Sequence, residues 1–194
     1  MEIDQLSPYF LIAAYSQGFF PMADSQTNEI HWLNPDPRAV IPLDGFHVSR
    51  SFARFLKKNP FQITFDKAFN EVIAGCANRP ETWISPDIKK AYMELHRLGF
   101  ATSVEVWRDK DLVGGLYGVC IERAFFAESM FSREPNASKA ALFYLLKYLN
   151  DKGFTLLEVQ FVTPHLRSLG AVEIPEAEYL KRLQQALGKQ RQIR

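Results

Sequence analysis

Ala101-Thr-Ser-Val-Glu-Val-Trp-Arg-Asp-Lys-Asp-Leu-Val-Gly-Gly-Leu-Tyr-Gly-Val-Cys-Ile-Glu-Arg-Ala-Phe-Phe-Ala-Glu128 changes the rhythm of the chain to a period of two. Ser103–Trp107 alternates, Arg108–Asp111 supplies a polar turn, Leu112–Cys120 runs back, and Arg123–Glu128 follows after a second short turn. Side chains on a strand point to alternate faces, so the pattern predicts an antiparallel meander. Beyond it, Ala141, Leu142, Leu145, Leu146 and Leu149 fall at helical spacing and predict a helix from Ser138 to Asn150, ended before Gly153. Thr155–Val162 then reads as a buried strand. Meander, helix and strand in that order, with helices ahead of them, predict a layered α+β fold.

Working back toward the N-terminus, residues 7–18 read as a helix with Ser7-Pro8 at its start, an apolar stripe of Phe10, Leu11, Ala14 and Tyr15, and Gly18 as its stop. Phe19-Phe-Pro-Met22 reads as an apolar turn without a partner in sequence, and Ile30–Leu33 as a short strand. Asn34-Pro-Asp-Pro-Arg38 is restricted by both prolines and reads as a rigid extended turn, where a domain boundary is placed. His47–Lys58 is amphipathic and helical, Gln62–Phe65 is strand-like, and Asp66 is a candidate cap for a helix running through Ile73. Pro86–Leu98 reads as a helix, with Ile88, Tyr92, Leu95 and His96 at helical spacing and Gly99 as its stop. A last helix is expected over Glu178–Leu187, followed by a basic tail.

The 194 residues suffice for one large domain or a small one joined to a medium one. With 47% apolar and 13% aromatic residues there is enough to fill a core. The net charge of +1 gives no global field for a polyanion, so nucleic-acid contact would need a local patch. Cys76 and Cys120 lack CxxC spacing and read as free thiols of a reducing compartment. No basic leader and no long apolar run is visible, so no signal peptide and no membrane contact are expected, and the location expected is cytoplasmic.

Three local patterns carry chemistry. Glu128 stands between Phe126 and Met130, where the apparent strand gives way to the apparent helix. It is either a Glu on the wet face of a half-buried strand or an anion that is paired or kept for chemistry, since burying it alone is costly. Glu158 and Gln160 are two apart in Leu156-Leu-Glu-Val-Gln-Phe-Val162, hence on one strand face about 7 Å apart at Cα. That face is either a wet edge or the wall of a polar cleft, where the carboxamide could bridge a nucleophile and a carboxylate. Arg50, Arg54, Lys57 and Lys58 share one narrow face of their helix, opposite Phe52, Phe55 and Leu56. They form either a solvated basic face or, with no acid in the helix to relieve them, a phosphate-binding patch that would position a stem without reading its sequence.

The order of elements resembles the core of the acyl-CoA-dependent N-acetyltransferase fold. That fold carries a glycine-rich turn for the coenzyme's pyrophosphate, and here the equivalent turn, Ser132-Arg-Glu-Pro-Asn-Ala-Ser138, has no glycine. More specific segments resemble the bacterial leucyl/phenylalanyl-tRNA–protein transferases. In chain order they are Tyr15-Ser-Gln-Gly-Phe-Phe-Pro21, Trp32-Leu-Asn-Pro-Asp-Pro-Arg-Ala-Val40, His47-Val-Ser-Arg-Ser51, Ile73-Ala-Gly-Cys76, Glu81-Thr-Trp-Ile84, Ser103–Trp107, Leu112–Val119, Glu128-Ser-Met-Phe-Ser132, Asn136-Ala-Ser-Lys139 and Ser168-Leu-Gly-Ala171.

The resemblance implies a small N-terminal domain, 1–40, and a larger acetyltransferase-like domain, 41–194, with a mostly antiparallel sheet flanked by helices. It implies transfer of Leu or Phe from aminoacyl-tRNA to the α-amino group of a protein or peptide beginning with Arg or Lys, which marks that protein for degradation. It implies no metal and no coenzyme, because the aminoacyl ester is already activated. A monomer is expected. It assigns Glu158, Gln160 and Glu128 to catalysis, with Gln160 oriented by Glu158. Met22, Trp83, Phe125, Met130 and Ser132 would line the donor pocket, and Arg50, Arg54, Lys57 and Lys58 would hold the tRNA stem. The sequence departs from the family at Glu158, usually Asp, at Met22, usually Trp, and at Ala127, usually Gly. The rival expectations are an acyl-CoA-dependent N-acyltransferase and a non-catalytic tRNA-binding relative; His165, a lone His after a proline, is assigned no role.

Overall fold

In chain order the computed structural model, which describes residues 4–58 and 60–188, runs α1 (Pro8–Ser16), β1 (Phe20–Ala23), β2 (Ile30–Leu33), β3 (Arg38–Val40), α2 (Arg50–Lys57), β4 (Gln62–Phe65), α3 (Phe69–Ala77), α4 (Pro86–Arg97), β5 (Ala101–Arg108), β6 (Asp111–Ile121), β7 (Ala124–Ser132), α5 (Ala137–Asp151), β8 (Leu156–Gln160), α6 (Pro164–Ser168), β9 (Val172–Ile174) and α7 (Glu176–Ala186). One sheet has the order β4-β5-β6-β7-β8-β3-β9, and β1 and β2 form a separate ribbon. The pairings within the large sheet are antiparallel except that of β7 with β8. Parallel neighbours need a crossover, and α5 is that crossover. The meander, helix and strand read from the sequence are therefore present, and the fold is α+β with a mostly antiparallel sheet.

The sheet separates two apolar layers. On one face α1, α3, α4 and α7 supply Leu11, Tyr15, Val72, Ile73, Ile88, Tyr92, Leu95 and Tyr179. On the other, α5 buries Leu142, Leu145, Leu146 and Leu149 against Val104, Val106, Leu116 and Leu157. Each such leucine contributes about 2 kcal/mol of burial, so α5 is held by its stripe; its N-cap, Asn136, is left-handed and makes no side-chain cap bond.

Strand β7 carries the irregularity that shapes the functional region. Tyr117 pairs with Ser129 and Gly118 with Ala127, so Glu128 is the extra residue of a bulge. The bulge reverses the alternation. Before it, Ala124 and Phe126 face the four-helix layer and Phe125 faces α5; after it, Phe131 faces the four helices and Met130 faces α5. Gly118 sits opposite because nothing larger fits: a Cβ there would lie 2.3 Å from the Phe126 carbonyl oxygen and 2.4 Å from Phe125 Cε1.

Several expectations are corrected. Phe19–Met22 is not a partnerless turn, since Phe20–Ala23 pairs antiparallel with Ile30–Leu33. The rigid Asn34–Arg38 stretch leads directly into β3, which enters the large sheet between β8 and β9. Both β9 and α6 are too short to have left a periodic signal. Asp66 does not cap α3; its backbone is left-handed and its carboxylate meets His96 at 2.8 Å. The acid at the start of α3 comes instead from β5, where buried Glu105 accepts from the Lys67 and Ala68 amides. The helix expected over His47–Lys58 begins only at Arg50, because the Ser49 side chain caps it. No described helix is long and apolar enough to cross a membrane. The basic tail at 189–194 lies outside the described residues.

The Gly118 packing gives a direct stability test. Gly118→Ala is expected to lower unfolding free energy by about 2 kcal/mol or more, because the new methyl must displace backbone as well as the Phe125 ring. Denaturant midpoints measure this, and an unchanged midpoint would show that the bulge does not need the glycine.

Candidate active site

β7 and β8 pair in parallel only as far as Phe126 and Glu158. Two residues further on, Glu128 and Gln160 meet across the place where that pairing stops: Gln160 Nε2 donates to Glu128 Oε2 at 2.9 Å. Glu128 keeps the face of Ala124 and Phe126 and points into the four-helix layer, while the bulge frees it from the ladder. There Tyr15 of α1 donates to its Oε1 at 2.7 Å and Tyr92 of α4 to its Oε2 at 3.1 Å. The two tyrosine hydroxyls also lie in contact, so that either can donate to the other in place of its bond to Glu128. Glu128 is only 6% exposed. Burial pushes its carboxyl up to about 7, against the hydrogen bonds from Tyr15, Tyr92 and Gln160, which favour the ionised form.

Glu158 is more deeply placed, at 1% exposure. Its Oε1 accepts from the backbone N–H of Gln160 at 2.6 Å and lies 3.7 Å from Nε of Arg38, itself 1% exposed. Burial pushes its carboxyl up to about 8; Arg38 opposes that and the nearby Glu128 adds to it. At this point β8 is irregular too. Ala39 pairs with Gln160 and Val40 with Glu158, one step against two, and Gln160 has φ of 62°. A non-glycine residue in the left-handed region is strained by about 1–3 kcal/mol and needs its surroundings to hold it. Glu158 provides such a hold on the Gln160 amide.

The placement of the three residues assigned to catalysis thus differs in one respect from the sequence-based picture. All three come together, but Glu158 does not orient the Gln160 side chain; it binds the backbone, and Glu128 takes the carboxamide. The reason is the left-handed turn at Gln160, which removes that residue from the regular alternation of the strand.

The five residues assigned to the donor pocket are not brought together. Phe125, fully buried, and Met130 share the α5 side through the bulge. Met22 and Trp83 pack on the four-helix side, where the Trp83 carbonyl accepts from the Ala23 amide. Ser132 is exposed at the end of β7, bonded to the Glu134 carbonyl and the Ser138 amide. Arg50, Arg54, Lys57 and Lys58 are all exposed, and no described carboxylate lies within 4.0 Å of any of them. Their helix docks Phe52 on Phe143 of α5 and Phe55 on Phe61. The segment before it is tied to the α6 end by the His47 amide, which donates to the Leu169 carbonyl.

Sequence reasoning passed over Tyr15, Tyr92 and Arg38. Tyr15 and Tyr92 were counted as members of apolar stripes, where a hydroxyl leaves no mark on the periodicity. Arg38 gives a clearer signal: a lone cation heading the apolar run Ala39-Val40-Ile41 needs a buried partner. Among the described residues no group of three or more His, Cys, Asp or Glu is placed to hold a metal. A broad cleft of about 1290 Å³ between α1 and α7, lined by Gln17, Phe19, Leu180 and Gln184 among others, contains none of the candidate catalytic, donor-pocket or tRNA-binding residues.

Comparison with known proteins agrees along the chain. A family model described as leucyl/phenylalanyl-tRNA protein transferase matches residues 40–184, and one described as the N-terminal domain of that transferase matches residues 4–36. A leucyl/phenylalanyl-tRNA–protein transferase from Ruegeria pomeroyi is 50% identical over 183 residues, covering 94% of this chain and 87% of that protein. One from Gloeobacter violaceus is 50% identical over 182 residues, covering 94% of each. Among solved structures, a GCN5-related N-acetyltransferase from Kribbella flavida aligns at 14% identity with a TM-score of 0.47, over 86% of this chain and 60% of that one.

Both site carboxyls have folded-state pKa values above the ordinary range, so between about pH 4.3 and those values the folded protein holds more protons than the unfolded chain. Their contribution to stability is therefore largest at low pH and declines as pH rises through about 7 and 8. Thermal unfolding of Glu128→Gln against the parent is expected to show the variant gaining relative stability as pH increases. A constant difference would mean that Glu128 titrates as an ordinary exposed acid.

Proposed function

This chain belongs to the leucyl/phenylalanyl-tRNA protein transferase family, and we propose that it moves Leu or Phe from the 3′ end of its tRNA to the α-amino group of a protein beginning with Arg or Lys, on the residues that meet around Gln160. Aminoacyl transfer from tRNA to protein is the family's activity. The choice of donor and acceptor residues, their roles, and action as a monomer are our reading. The new terminus marks the acceptor for degradation. The observation that carries the assignment of the site is the 2.9 Å bond between Gln160 and Glu128 at the end of the β7–β8 pairing.

In the reaction the acceptor nitrogen forms a bond to the ester carbonyl carbon, the ester C–O bond breaks, and the tRNA 3′ oxygen leaves with a proton. The nitrogen must shed a proton as it attacks. Nε2 of Gln160 is committed to Glu128, which leaves the carboxamide oxygen to accept from the incoming amine. Gln160 so holds the nucleophile in line, while Glu128 and Glu158 favour the positive charge that develops on it. Glu128, poised near 7, is suited to a cationic amine close by. Phe125 and Met130, on the α5 side of the sheet, form the apolar wall for the donor side chain in this account. Such a wall separates Leu and Phe from small or charged residues. The small unit at 1–40 contributes Tyr15 and Arg38, and the larger unit at 41–194 contributes the carboxylates, Gln160 and the cations. Arg50, Arg54, Lys57 and Lys58 hold the tRNA phosphates.

Purified protein is expected to transfer labelled Leu or Phe from charged tRNA to an Arg- or Lys-initiated peptide, and folded protein that transfers neither would contradict the proposal. Gln160→Ala is expected to lower kcat by about 100-fold while the protein stays folded by circular dichroism, and an unchanged kcat would remove Gln160 from the mechanism. In a separate test, Arg54→Glu with Lys57→Glu should weaken tRNA binding and flatten its log-salt slope by about two. Unchanged affinity would reduce the basic helix to a solvated surface.

A further inference from the structure

Arg38 occupies a position that ion pairing alone does not explain. Its guanidinium lies between two aromatic rings, 5.0 Å from the centroid of Phe20 and 4.4 Å from that of Tyr179. One Nη donates to the Gly18 carbonyl and reaches Asn34 Oδ1 at 3.4 Å. Gly18 ends the α1 segment that carries Tyr15, and Tyr15 donates to Glu128. On its other side Arg38 Nε stands 3.7 Å from Glu158. Arg38 therefore bears on both arms of the site: on Glu158 as a counter-charge at 3.7 Å, beyond hydrogen-bond distance, and on Glu128 through the end of α1.

We propose that Arg38 is a positioning residue for aminoacyl transfer: clamped between Phe20 and Tyr179, it fixes the Glu158 carboxylate, which in turn fixes the left-handed backbone that aims the Gln160 carboxamide at Glu128. The proposal rests on the transfer reading above. Its physical logic is sequential. Gln160 stays at φ of 62° only while something binds its amide, and Glu158 is that group. Glu158 binds the amide most strongly as a carboxylate, and a carboxylate this deep needs a counter-charge. Among the described residues Arg38 is the cation within 4.0 Å of it. The other titratable groups that bear on the pair are Glu128 from β7 and Tyr179 from α7, with Tyr15 of α1 and Tyr92 of α4 acting on Glu128. None of these supplies positive charge. A lysine at this position keeps the charge but lacks the planar fork that faces Gly18 and Glu158 together.

The experiment compares the parent with Arg38→Gln, Arg38→Lys, Glu158→Gln and the double variant Arg38→Gln/Glu158→Gln, assaying transfer from charged tRNA to an Arg-initiated peptide across pH. The expected result for Arg38→Gln is a kcat loss of about tenfold or more, KM for charged tRNA within about twofold, and a rising limb of the kcat profile moved up by about one pH unit. Arg38→Lys should return the limb toward the parent with kcat still reduced, and the double variant should lose little beyond the worse single one. An unmoved limb, or losses that multiply in the double variant, would overturn the proposal. Melting temperatures in the same buffers give a readout without activity. The deficit of Arg38→Gln should widen from about pH 5.5 to about pH 8.5, as Glu158 ionises without its partner. A deficit equal at both ends would make Arg38 a plain structural staple and overturn the inference. Should the parent transfer neither Leu nor Phe, the transfer reading falls, and the melting comparison still decides whether Arg38 holds Glu158.

Discussion

Two carboxylates, Glu128 and Glu158, leave water together in this fold, and the surrounding structure has to make that tolerable. Moving one carboxylate into a protein interior carries an effective penalty of several kcal/mol. The groups that offset it come from four separate elements: hydrogen-bond donors Tyr15 from α1, Tyr92 from α4 and the Gln160 carboxamide and amide from β8, and the counter-charge of Arg38 from β3. Each element must dock correctly for the acids to be satisfied, so the polar cluster ties the four-helix layer to the sheet. The same low-polarity setting that makes the acids expensive raises their proton affinity toward neutrality, where a group that must accept and release charge is most useful.

Backbone irregularity does the aiming. A regular β7 would keep Phe125 and Met130 on opposite faces and would leave Glu128 in a continuing ladder. The one-residue bulge puts both apolar side chains against α5 and takes the acid, which keeps the face it shares with Phe126, out of the ladder. A regular β8 would likewise keep the Gln160 side chain parallel to that of Glu158 on one face. Its left-handed turn sends the carboxamide across the gap to Glu128. Both departures fall within two residues of the point where β7 and β8 cease to pair. Opening a sheet leaves backbone and side-chain polar groups facing each other instead of bonded to a neighbouring strand, and this is where an exchange of bonds with a substrate costs least.

The parts of this arrangement that were legible in the sequence are those governed by long periodic patterns. The meander, α4, α5 and the basic face of α2 each repeat an apolar or charged position often enough to set a period, and the acid–amide pair on β8 stood out against an apolar strand. What escaped notice acts singly. Tyr15 and Tyr92 scored as apolar because a ring fills a stripe whatever its hydroxyl does. Three-residue strands such as β3 and β9 are shorter than any usable period, and β3 follows two prolines that argued for a turn. The bulge at Glu128 changes face without changing composition, so which residues share a pocket wall could not be counted off the strand. Asp66 shows the converse: a locally plausible cap lost to Glu105, an acid 39 positions later that the sheet brings to the start of α3.

In the proposed reading the chemistry of the site depends on buried ionisation more than on any exposed nucleophile, with an apolar layer on one side of the sheet and an exposed row of cations on α2 assigned to the donor and its tRNA. The most direct test is to follow the side-chain carboxyl carbons of isotopically labelled glutamate by NMR as pH is raised, with Glu128 and Glu158 assigned through Gln substitutions. Two glutamate signals titrating near neutral pH, well above the about 4.3 of an ordinary glutamate, are predicted. If every glutamate in the folded protein titrates between about pH 4 and 5, the acids are solvated and the account of this site is wrong.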